Sequence, residues 1–322
     1  MIQKAIIELI EKYQTIIIHH HQNPDCDCIG SQLGLKYLLE ATYPKKVVYA
    51  VGSHNEKTAF LGNLDIIDDS KYNNALGIIV DVGDYERVDD KRFVNSKALI
   101  KIDHHPHTVT NCDIEWVDTA YSSCCEMIID LAINNNLTMT NKAARVLYSG
   151  ILTDTGRYYY SAVLPRTFNY GAEVYKYDFD KQALYENIYF KSIKELKFKG
   201  FILDEFSSTP NGLGYMKISN DMLEKYEVST EYAASEVNTL SDIKEIVMWI
   251  FFIEYNTLGK IRVEFRSRGP IVNTLAKQFG GGGHSLASGA LVDSWEVVDN
   301  IIKVADELLG GKDETKRDTG NR

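Results

Sequence analysis

The side chains best suited to chemistry lie in a turn that carries His21, Asp25 and Asp27. An apolar, β-branched run at residues 15–18 precedes the turn and predicts a buried parallel strand, whereas residues 33–39 predict a helix. Open α/β sheets place their functional sites at the carboxyl ends of strands. One imidazole and two carboxylates converging there suit a divalent cation. The alternative interpretation is a capped turn, with Asp27 as the N-cap of the helix.

The same turn contains two thiols, because Cys26 and Cys28 flank Asp27. A thiolate metal site is conceivable. The preferred interpretation is small side chains filling a tight turn, since carboxylates and histidine outnumber the thiols. The chain has 5 cysteines in all, and none forms a CxxC pair. An odd number without such a pair predicts a reducing compartment, and we expect the cytoplasm.

Acidic residues and histidines recur at the ends of further predicted elements. These are Asp81 in a strand pattern over residues 75–84, the run Asp103-His104-His105 ending a strand pattern over 98–106, and Asp154 after a helical pattern over 141–153. Buried carboxylates without partners are costly, and a divalent cation removes that cost. The recurrence therefore favours a metal centre over a set of unrelated structural aspartates.

Composition and pattern indicate an ordinary globular α/β protein of two domains. The chain has 322 residues, 44% hydrophobic and 25% charged, with no apolar run as long as a membrane span. Strands and helices alternate, which predicts a doubly wound, mainly parallel sheet followed by a smaller α/β domain with a mixed sheet. The expected divisions are a metal-binding catalytic domain at 1–178, a linker helix at 179–206, a substrate-binding domain at 207–310 and a disordered tail at 311–322.

Five motifs, taken in order, resemble the DHH phosphoesterase family, and more narrowly its DHH–DHHA1 subgroup. They are residues 21–27, Asp81, Asp103-His104-His105, Asp154-Thr155-Gly156 and Gly281-Gly282-Gly283-His284. The resemblance covers nearly the whole chain and implies a DHH domain followed by a DHHA1 domain. This subgroup contains nanoRNases, phosphatases of 3′-phosphoadenosine 5′-phosphate (pAp) and phosphodiesterases of linear dinucleotides. The chain departs from the family at Cys26 and Cys28, where glycine and alanine are usual.

The resemblance also implies roles for the residues of the motifs. Two Mn²⁺ ions are expected, with Asp81 bridging them. The implied ligands are His21, Asp25 and Asp81 for one ion, and Asp27, Asp81, His104 and Asp154 for the other. His105 is expected to contact the phosphate, and Asp103 to orient a neighbouring group. A two-ion site activates water, so no protein nucleophile is required.

The second domain is expected to hold the substrate. Arg262, Arg266 and Arg268 have same-face spacing on a strand pattern, and arginine binds phosphate in a forked geometry. The run Gly281-Gly282-Gly283 lets the backbone approach a ligand closely, and His284 follows it. The alternatives are a solvated strand face for the arginines and a flexible loop for the glycines.

The expected function is Mn²⁺-dependent hydrolysis of short oligoribonucleotides, linear dinucleotides and pAp to mononucleotides. The formal net charge of −10 argues against binding a long nucleic acid, so the expected partners are short RNAs or small nucleotides, without a membrane. A cyclic di-AMP phosphodiesterase and a non-catalytic nucleotide sensor on the same fold remain alternatives. Preferred substrate, polarity of degradation and oligomeric state stay open.

Overall fold

The computed structural model describes residues 2–106, 111–255 and 258–311 of the chain. These residues divide into two compact units, with the boundary between Phe190 and Lys191. The tail predicted at 311–322 lies, apart from Gly311, outside the described residues. No helix in the described ranges is both long enough and apolar enough to cross a bilayer.

The first unit is built on a five-stranded sheet in which every neighbouring pair of strands is parallel. Its strands are β1 (Thr15–His19), β2 (Val47–Ala50), β3 (Leu76–Val80), β4 (Ala98–Asp103) and β5 (Ile114–Val117). They lie in the order β2-β1-β3-β4-β5. The predicted parallel sheet is therefore confirmed. Strand β5 was not predicted; it has only four residues, Ile-Glu-Trp-Val, and of these only Trp116 is buried.

Both faces of this sheet are covered. The helices are α1 (Ile2–Lys12), α2 (Cys26–Thr42), α3 (Cys124–Asn134), α4 (Asn141–Asp154), α5 (Pro165–Tyr175) and α6 (Lys181–Tyr189). Helices α2, α3 and α4 share one core with Ile16, Ile78 and Ile100 of the sheet. The opposite face, which includes Ile17 and Ile79, is covered mainly by short 3-10 helices. They lie at Asp69–Tyr72, Tyr85–Arg87 and Lys91–Asn95, and a further one at Ala59–Leu61.

The strand order reverses between β1 and β3. From β1 the chain crosses to β2 on one side, and it then returns to place β3 on the other side. Sheets of this kind bind ligands in the crevice at the carboxyl ends of the strands that flank the reversal. The loops that follow β1 and β3 contain His21 and Asp81, so the topology places both residues at that crevice.

The linker predicted as one helix over 179–206 is two helices. Helix α6 ends at Tyr189, and α7 (Ile193–Glu205) begins after a break at residues 190–192. Ser192 caps α7: its hydroxyl accepts from the Glu195 amide, and the Glu195 carboxylate accepts from the Ser192 amide. Such a capping box starts a new helix. The division between the two units falls in this break.

The second unit contains a six-stranded mixed sheet in the order β10-β11-β9-β8-β7-β6. Only β7 and β8 are parallel, so the predicted mixed sheet is confirmed. The strands are β6 (Ser207–Ser208), β7 (Leu213–Ile218), β8 (Met248–Tyr255), β9 (Lys260–Ser267), β10 (Gly282–Gly283) and β11 (Ala287–Val292). The remaining helices are α8 (Asn220–Lys225), α9 (Thr230–Ser235), a 3-10 helix at Glu236–Leu240, α10 (Val272–Gln278) and α11 (Trp295–Gly310).

Each face of this second sheet has its own core. Val263 and Phe265 of β9 pack with α10 and α11, whereas Phe251 and Ile253 of β8 pack with α7 and α9 on the other side. The side chains of β9 alternate between the faces. Its arginines therefore lie on the face opposite Val263 and Phe265.

Candidate metal centre

His21 presents one ring nitrogen to the carboxylates at the crevice. Its Nδ1 lies 2.8 Å from the carbonyl oxygen of Gln22. A carbonyl oxygen can only accept, so Nδ1 carries the proton and Nε2 of the neutral ring offers its lone pair. Nε2 is 3.6 Å from Asp81 Oδ2 and 4.0 Å from Asp25 Oδ2.

Asp25, and not Asp27, is the N-cap of α2. Oδ1 of Asp25 accepts hydrogen bonds from the amides of Asp27 and Cys28, at 3.0 and 2.9 Å. The capped-turn interpretation of Asp27 is therefore wrong. Asp27 lies in the first turn of α2, fully buried. Its two oxygens accept from the amides of Cys124 and Cys125, at 2.7 and 2.9 Å. These amides open α3, and a helix N-terminus favours a carboxylate.

Asp81 is the central residue of the site. It directly follows β3 in a left-handed backbone conformation, with φ of 57°, and it is only 2% exposed. Its amide donates to the Ile102 carbonyl at 3.0 Å, which holds this conformation. Oδ2 faces His21, whereas Oδ1 lies 3.3 Å from His104 Nε2 and 3.5 Å from His105 Nδ1. Backbone strain of this kind is found at functional sites.

A second group of side chains surrounds His104. Its Nε2 is 3.3 Å from Asp81 Oδ1, 3.5 Å from Asp154 Oδ2 and 3.7 Å from Asp27 Oδ2. Asp154 is the last residue of α4, so three different elements supply the three carboxylates. The structure thus brings the predicted ligands on the strand ends, on α2 and on α4 to one place.

Within the described residues, three sets of side chains have donor atoms that lie within 4.8 Å of one another. They are His21, Cys28 and Asp81; Asp27, His104 and Asp154; and Asp81, His104 and His105. Asp81 belongs to two of these sets. Oδ1 of Asp81 and Nε2 of His104 are buried and make no well-directed hydrogen bond within the described part of the chain. Buried polar atoms left in this way fit a bound cation, and the carboxylate and imidazole donors suit a divalent one.

The charges of the site are strongly coupled. Burial, and then the nearby Asp81, raises the pKa of Asp27 to about 7. Burial also raises the pKa of Asp154 well above its usual value. Burial opposes a charge on His104, but the Asp81 and Asp27 carboxylates outweigh it and raise the pKa of this imidazole to about 10. For Asp81 burial is likewise outweighed, by His104 and His21, and the pKa falls. In the metal-free site, a proton on His104 thus offsets part of the negative charge.

A buried lysine supports the Asp103–His105 pair, and the sequence analysis missed it. Asp103 Oδ1 accepts from the Nδ1 of His105 at 2.8 Å, and Lys101 Nζ lies 3.3 Å from Asp103 Oδ2. Both Lys101 and Asp103 are fully buried. Lysine is almost never fully buried unless it is paired. The signal was therefore available in the sequence: a lysine inside an apolar strand, two positions before an aspartate on the same face.

In the second unit, Arg262 and Arg266 share one carboxylate. Arg262 Nε donates to Glu264 Oε1 at 2.7 Å, and Arg266 Nη1 lies 3.1 Å from Glu264 Oε2. The sequence analysis did not single out Glu264, although its position between the arginines on the same strand face was visible. The trio keeps one net positive charge.

A pocket of about 650 Å³ brings Arg262 together with Gly281 and Gly282. A Cβ atom on Gly281 would collide with the Gly289 carbonyl oxygen of the neighbouring strand, so this position requires glycine. Gly283 follows in β10 and the His284 side chain is exposed, but neither residue lines the pocket.

Arg266 and Arg268 differ in their surroundings. Arg266 also donates to the Phe265 carbonyl at 2.9 Å, and it does not line the pocket. Arg268 lies beyond the end of β9. Its Nη2 donates to the carbonyl of Ile243 at 2.7 Å and to that of Ile246. Arg268 therefore ties down the segment that precedes β8.

Comparison with known proteins agrees with this architecture. The model of the DHH family N-terminal domain matches residues 15–151, and that of the DHHA1 domain matches residues 216–311. The chain is 40% identical over 300 residues to the bifunctional oligoribonuclease and PAP phosphatase NrnA of Bacillus subtilis, covering 92% of this chain and 95% of the relative. A probable NrnA of Streptococcus mutans is 38% identical over 297 residues, with the same coverage.

A solved structure shares the fold. An exopolyphosphatase-related protein from Bacteroides fragilis superposes with a TM-score of 0.85 at 23% identity, covering 96% of this chain and 97% of the other. The chain belongs to the DHH family, with a DHH domain followed by a DHHA1 domain. The resemblance seen in the sequence is thereby confirmed.

Proposed function

We propose that the chain is a Mn²⁺-dependent, two-metal phosphoesterase that hydrolyses short oligoribonucleotides, linear dinucleotides and pAp to mononucleotides. The observation that carries this proposal is the position of Asp81 between two sets of imidazole and carboxylate donors. The names of its relatives, oligoribonuclease and PAP phosphatase, support the substrate class.

Two ions would share the Asp81 carboxylate. His21 and Asp25 would complete one set of ligands, and Asp27, His104 and Asp154 the other. When bound, such ions lower the pKa of water and stabilise charge on a phosphoryl group. Oxygen donors combined with imidazole are compatible with Mn²⁺. The amides of α3 that bind Asp27 would hold this ligand in orientation.

His105 would act on the phosphate directly. A carboxylate only accepts hydrogen bonds, so the Asp103 contact fixes a proton on Nδ1 of His105 and turns Nε2 away from Asp103. In this orientation, protonated His105 would donate to a phosphoryl oxygen and stabilise charge in the transition state. Asp103 is then a positioning residue, held in turn by Lys101.

The second unit would hold the nucleotide part of the substrate. Arg262, Gly281 and Gly282 line the pocket described above, and the Arg262–Glu264–Arg266 trio supplies positive charge beside it. Gly283 and His284 extend the same loop. Arg268 would act indirectly, by anchoring the segment that precedes β8. Arginine forks suit a phosphate of the substrate.

The compartment and the partners follow from the same chemistry. We propose a cytoplasmic location, because the five cysteines are unbridged and the proposed substrates are products of RNA and nucleotide turnover. The net charge of −10 favours small nucleotide substrates over a long nucleic acid.

The test is a comparison of kcat/KM for pAp, pApA, cyclic di-AMP and a short RNA oligonucleotide. Protein stripped of metal by a chelator should be inactive, and Mn²⁺ should restore turnover of pAp and pApA. Turnover without any metal would contradict the two-metal proposal. A preference for cyclic di-AMP would favour that alternative, and tight nucleotide binding without turnover in Mn²⁺ would identify a sensor.

A further inference from the structure

Cys28 lies inside the metal centre, unlike the other cysteines of the chain. Its side chain is fully buried in the first turn of α2. Its Sγ belongs to a set of donor atoms, with His21 and Asp81, that all lie within 4.8 Å of one another. A cation bound by these two residues would therefore have sulfur within reach as well as nitrogen and oxygen.

The remaining thiols near the site have other surroundings. Cys124 Sγ donates to the Ile102 carbonyl at 3.4 Å, and Cys125 Sγ donates to the Asp27 carbonyl at 3.5 Å. Cys26 belongs to none of the three sets of donors among the described residues. Cys28 alone among these four is grouped with an imidazole and with the Asp81 carboxylate, whose Oδ2 faces His21 at 3.6 Å.

We propose that Cys28 is a thiolate ligand of the ion held by His21 and Asp81. The Sγ–H proton passes to solvent as the sulfur–metal bond forms, and no atom is oxidised or reduced. The two ions of the centre then differ, because one has a sulfur ligand and the other only oxygen and nitrogen ligands. This inference rests on the metal centre of the proposed function and refines its ligand set.

A sulfur ligand changes which cations the site prefers. Thiolate favours Zn²⁺ and Co²⁺ over harder ions, whereas carboxylates suit Mn²⁺. Cys28 would therefore make this the softer of the two half-sites. We expect Zn²⁺ to compete with Mn²⁺ at that half-site more strongly than it would without Cys28.

Absorption of the Co²⁺-loaded full-length protein tests the proposal without an activity assay. Wild type should show a thiolate-to-cobalt charge-transfer band in the near ultraviolet. Cys28→Ala and Cys28→Ser should lose the band, and Cys26→Ala, a matched change in the same turn, should keep it. Cobalt bound with no such band, or a band that persists in both Cys28 variants, would overturn the proposal. Failure of the protein to bind any cobalt would instead overturn the metal centre itself.

Metal competition gives a second readout. In Cys28→Ala, the ratio of Zn²⁺ to Mn²⁺ affinity should fall by at least about tenfold. Tenfold is about the smallest loss of metal affinity usually seen when a residue that only contacts a metal ligand is replaced. Cys26→Ala should leave the ratio unchanged. An unchanged ratio in Cys28→Ala would show that sulfur does not bind the ion, even if the phosphoesterase activity is as proposed.

Discussion

At the scale of single residues, Asp81 joins the donors around His21 to those around His104. Its two oxygens face different histidines, and its backbone is held in a left-handed conformation. Asp81→Asn should therefore weaken the binding of both ions and lower kcat/KM by more than about a hundredfold. A hundredfold is about the largest loss usually seen when a residue that only contacts a metal ligand is replaced. Metal content by elemental analysis and kcat/KM with pAp are the measurements.

Asp84→Asn is the matched control for this prediction. Asp84 is exposed in the same loop, and its side chain caps the turn that follows. Asparagine caps a helix as well as aspartate does. The control should keep full metal content and rate. Wild-type metal content in Asp81→Asn would contradict the bridging role.

The raised pKa of His104 predicts that the stability of the metal-free protein depends on pH. Its pKa is raised from 6.5 to about 10, so the proton that it binds stabilises the fold fully below about pH 6.5. That contribution is lost as the pH rises toward about 10. The Tm difference between metal-free wild type and His104→Gln should thus shrink from pH 7 to pH 9. A cation must displace the same proton, so metal affinity should rise over this window. A Tm difference that grows with pH would contradict the assignment.

The buried position of Lys101 predicts a loss of stability when this residue is replaced. Removing it leaves the fully buried Asp103 without its lysine partner, and only the contact with His105 remains of the two described above. Breaking a buried ion pair in this way costs about 3–5 kcal/mol. We expect Lys101→Met to lower the free energy of unfolding by about that amount in denaturant titrations and to reduce kcat through His105. Lys97→Met, an exposed change just before the same strand, should be neutral.

The convergence of the proposed ligands was predictable, because each of them lies at the end of a strand or helix and parallel strands bring their ends to one edge of the sheet. That Asp25 rather than Asp27 caps α2 was not predictable. Either aspartate can cap α2 by sequence, and the choice is made by the α3 amides, which arrive from about a hundred residues further along the chain. Pairings such as Arg262 with Glu264 likewise depend on side-chain geometry, which spacing alone does not give.

At the scale of elements, the centre depends on the close approach of α2 and α4. A Cβ atom on Gly150 of α4 would lie 2.6 Å from Asp27 Oδ1 and also too close to Cys125 Sγ. Gly150→Ala should therefore displace Asp27, lower Tm and weaken metal binding. A buried clash of this kind typically costs about 1–3 kcal/mol.

Gly200→Ala is the matched control, since Gly200 also lies inside a helix, α7, with nothing within 4 Å of its added Cβ. It should raise stability by roughly 0.5–1 kcal/mol, because alanine is the better helix former. Equal effects of the two changes would contradict the close-approach argument. Thermal unfolding with and without Mn²⁺ measures both.

Elements with strong patterns were predictable, and those with weak patterns were not. The buried strands β1 and β3 contain continuous apolar runs, and β4 is apolar on both sides of Lys101, whereas β5 has four residues with Glu115 among them and was missed. The break between α6 and α7 was also missed. Charged residues continue through it with helical spacing, and only the Ser192–Glu195 capping box marks the new start.

At the scale of the whole molecule, the two units predict a division of labour. Loss of a charge-assisted phosphate contact costs about 1.5–3 kcal/mol, or roughly tenfold to hundredfold in kcat/KM. Arg262→Ala removes the arginine that lines the pocket and should lose this much with pAp and pApA. It should spare bis-p-nitrophenyl phosphate, which lacks the nucleotide part, whereas His104→Ala should abolish hydrolysis of the nucleotides and of the minimal ester.

Lys303→Ala is the control in the same unit, since Lys303 forms only an exposed ion pair with Glu307, at 3.9 Å. It should leave all substrates unaffected. Equal losses with the nucleotides and the minimal ester in Arg262→Ala, with metal content unchanged, would place that side chain at the reacting phosphate.

The distribution of the ligands along the chain has a consequence for biosynthesis. The first proposed ligand is His21 and the last is Asp154, at the end of α4. A ribosome releases them in that order, so the half-site of His21, Asp25 and Asp81 emerges first, together with β1 to β3. The half-site of Asp27, His104 and Asp154 stays incomplete until α4 has emerged. Binding of the second ion would then act as a completion check, because only a chain with the whole first sheet in place could neutralise all of its buried carboxylates.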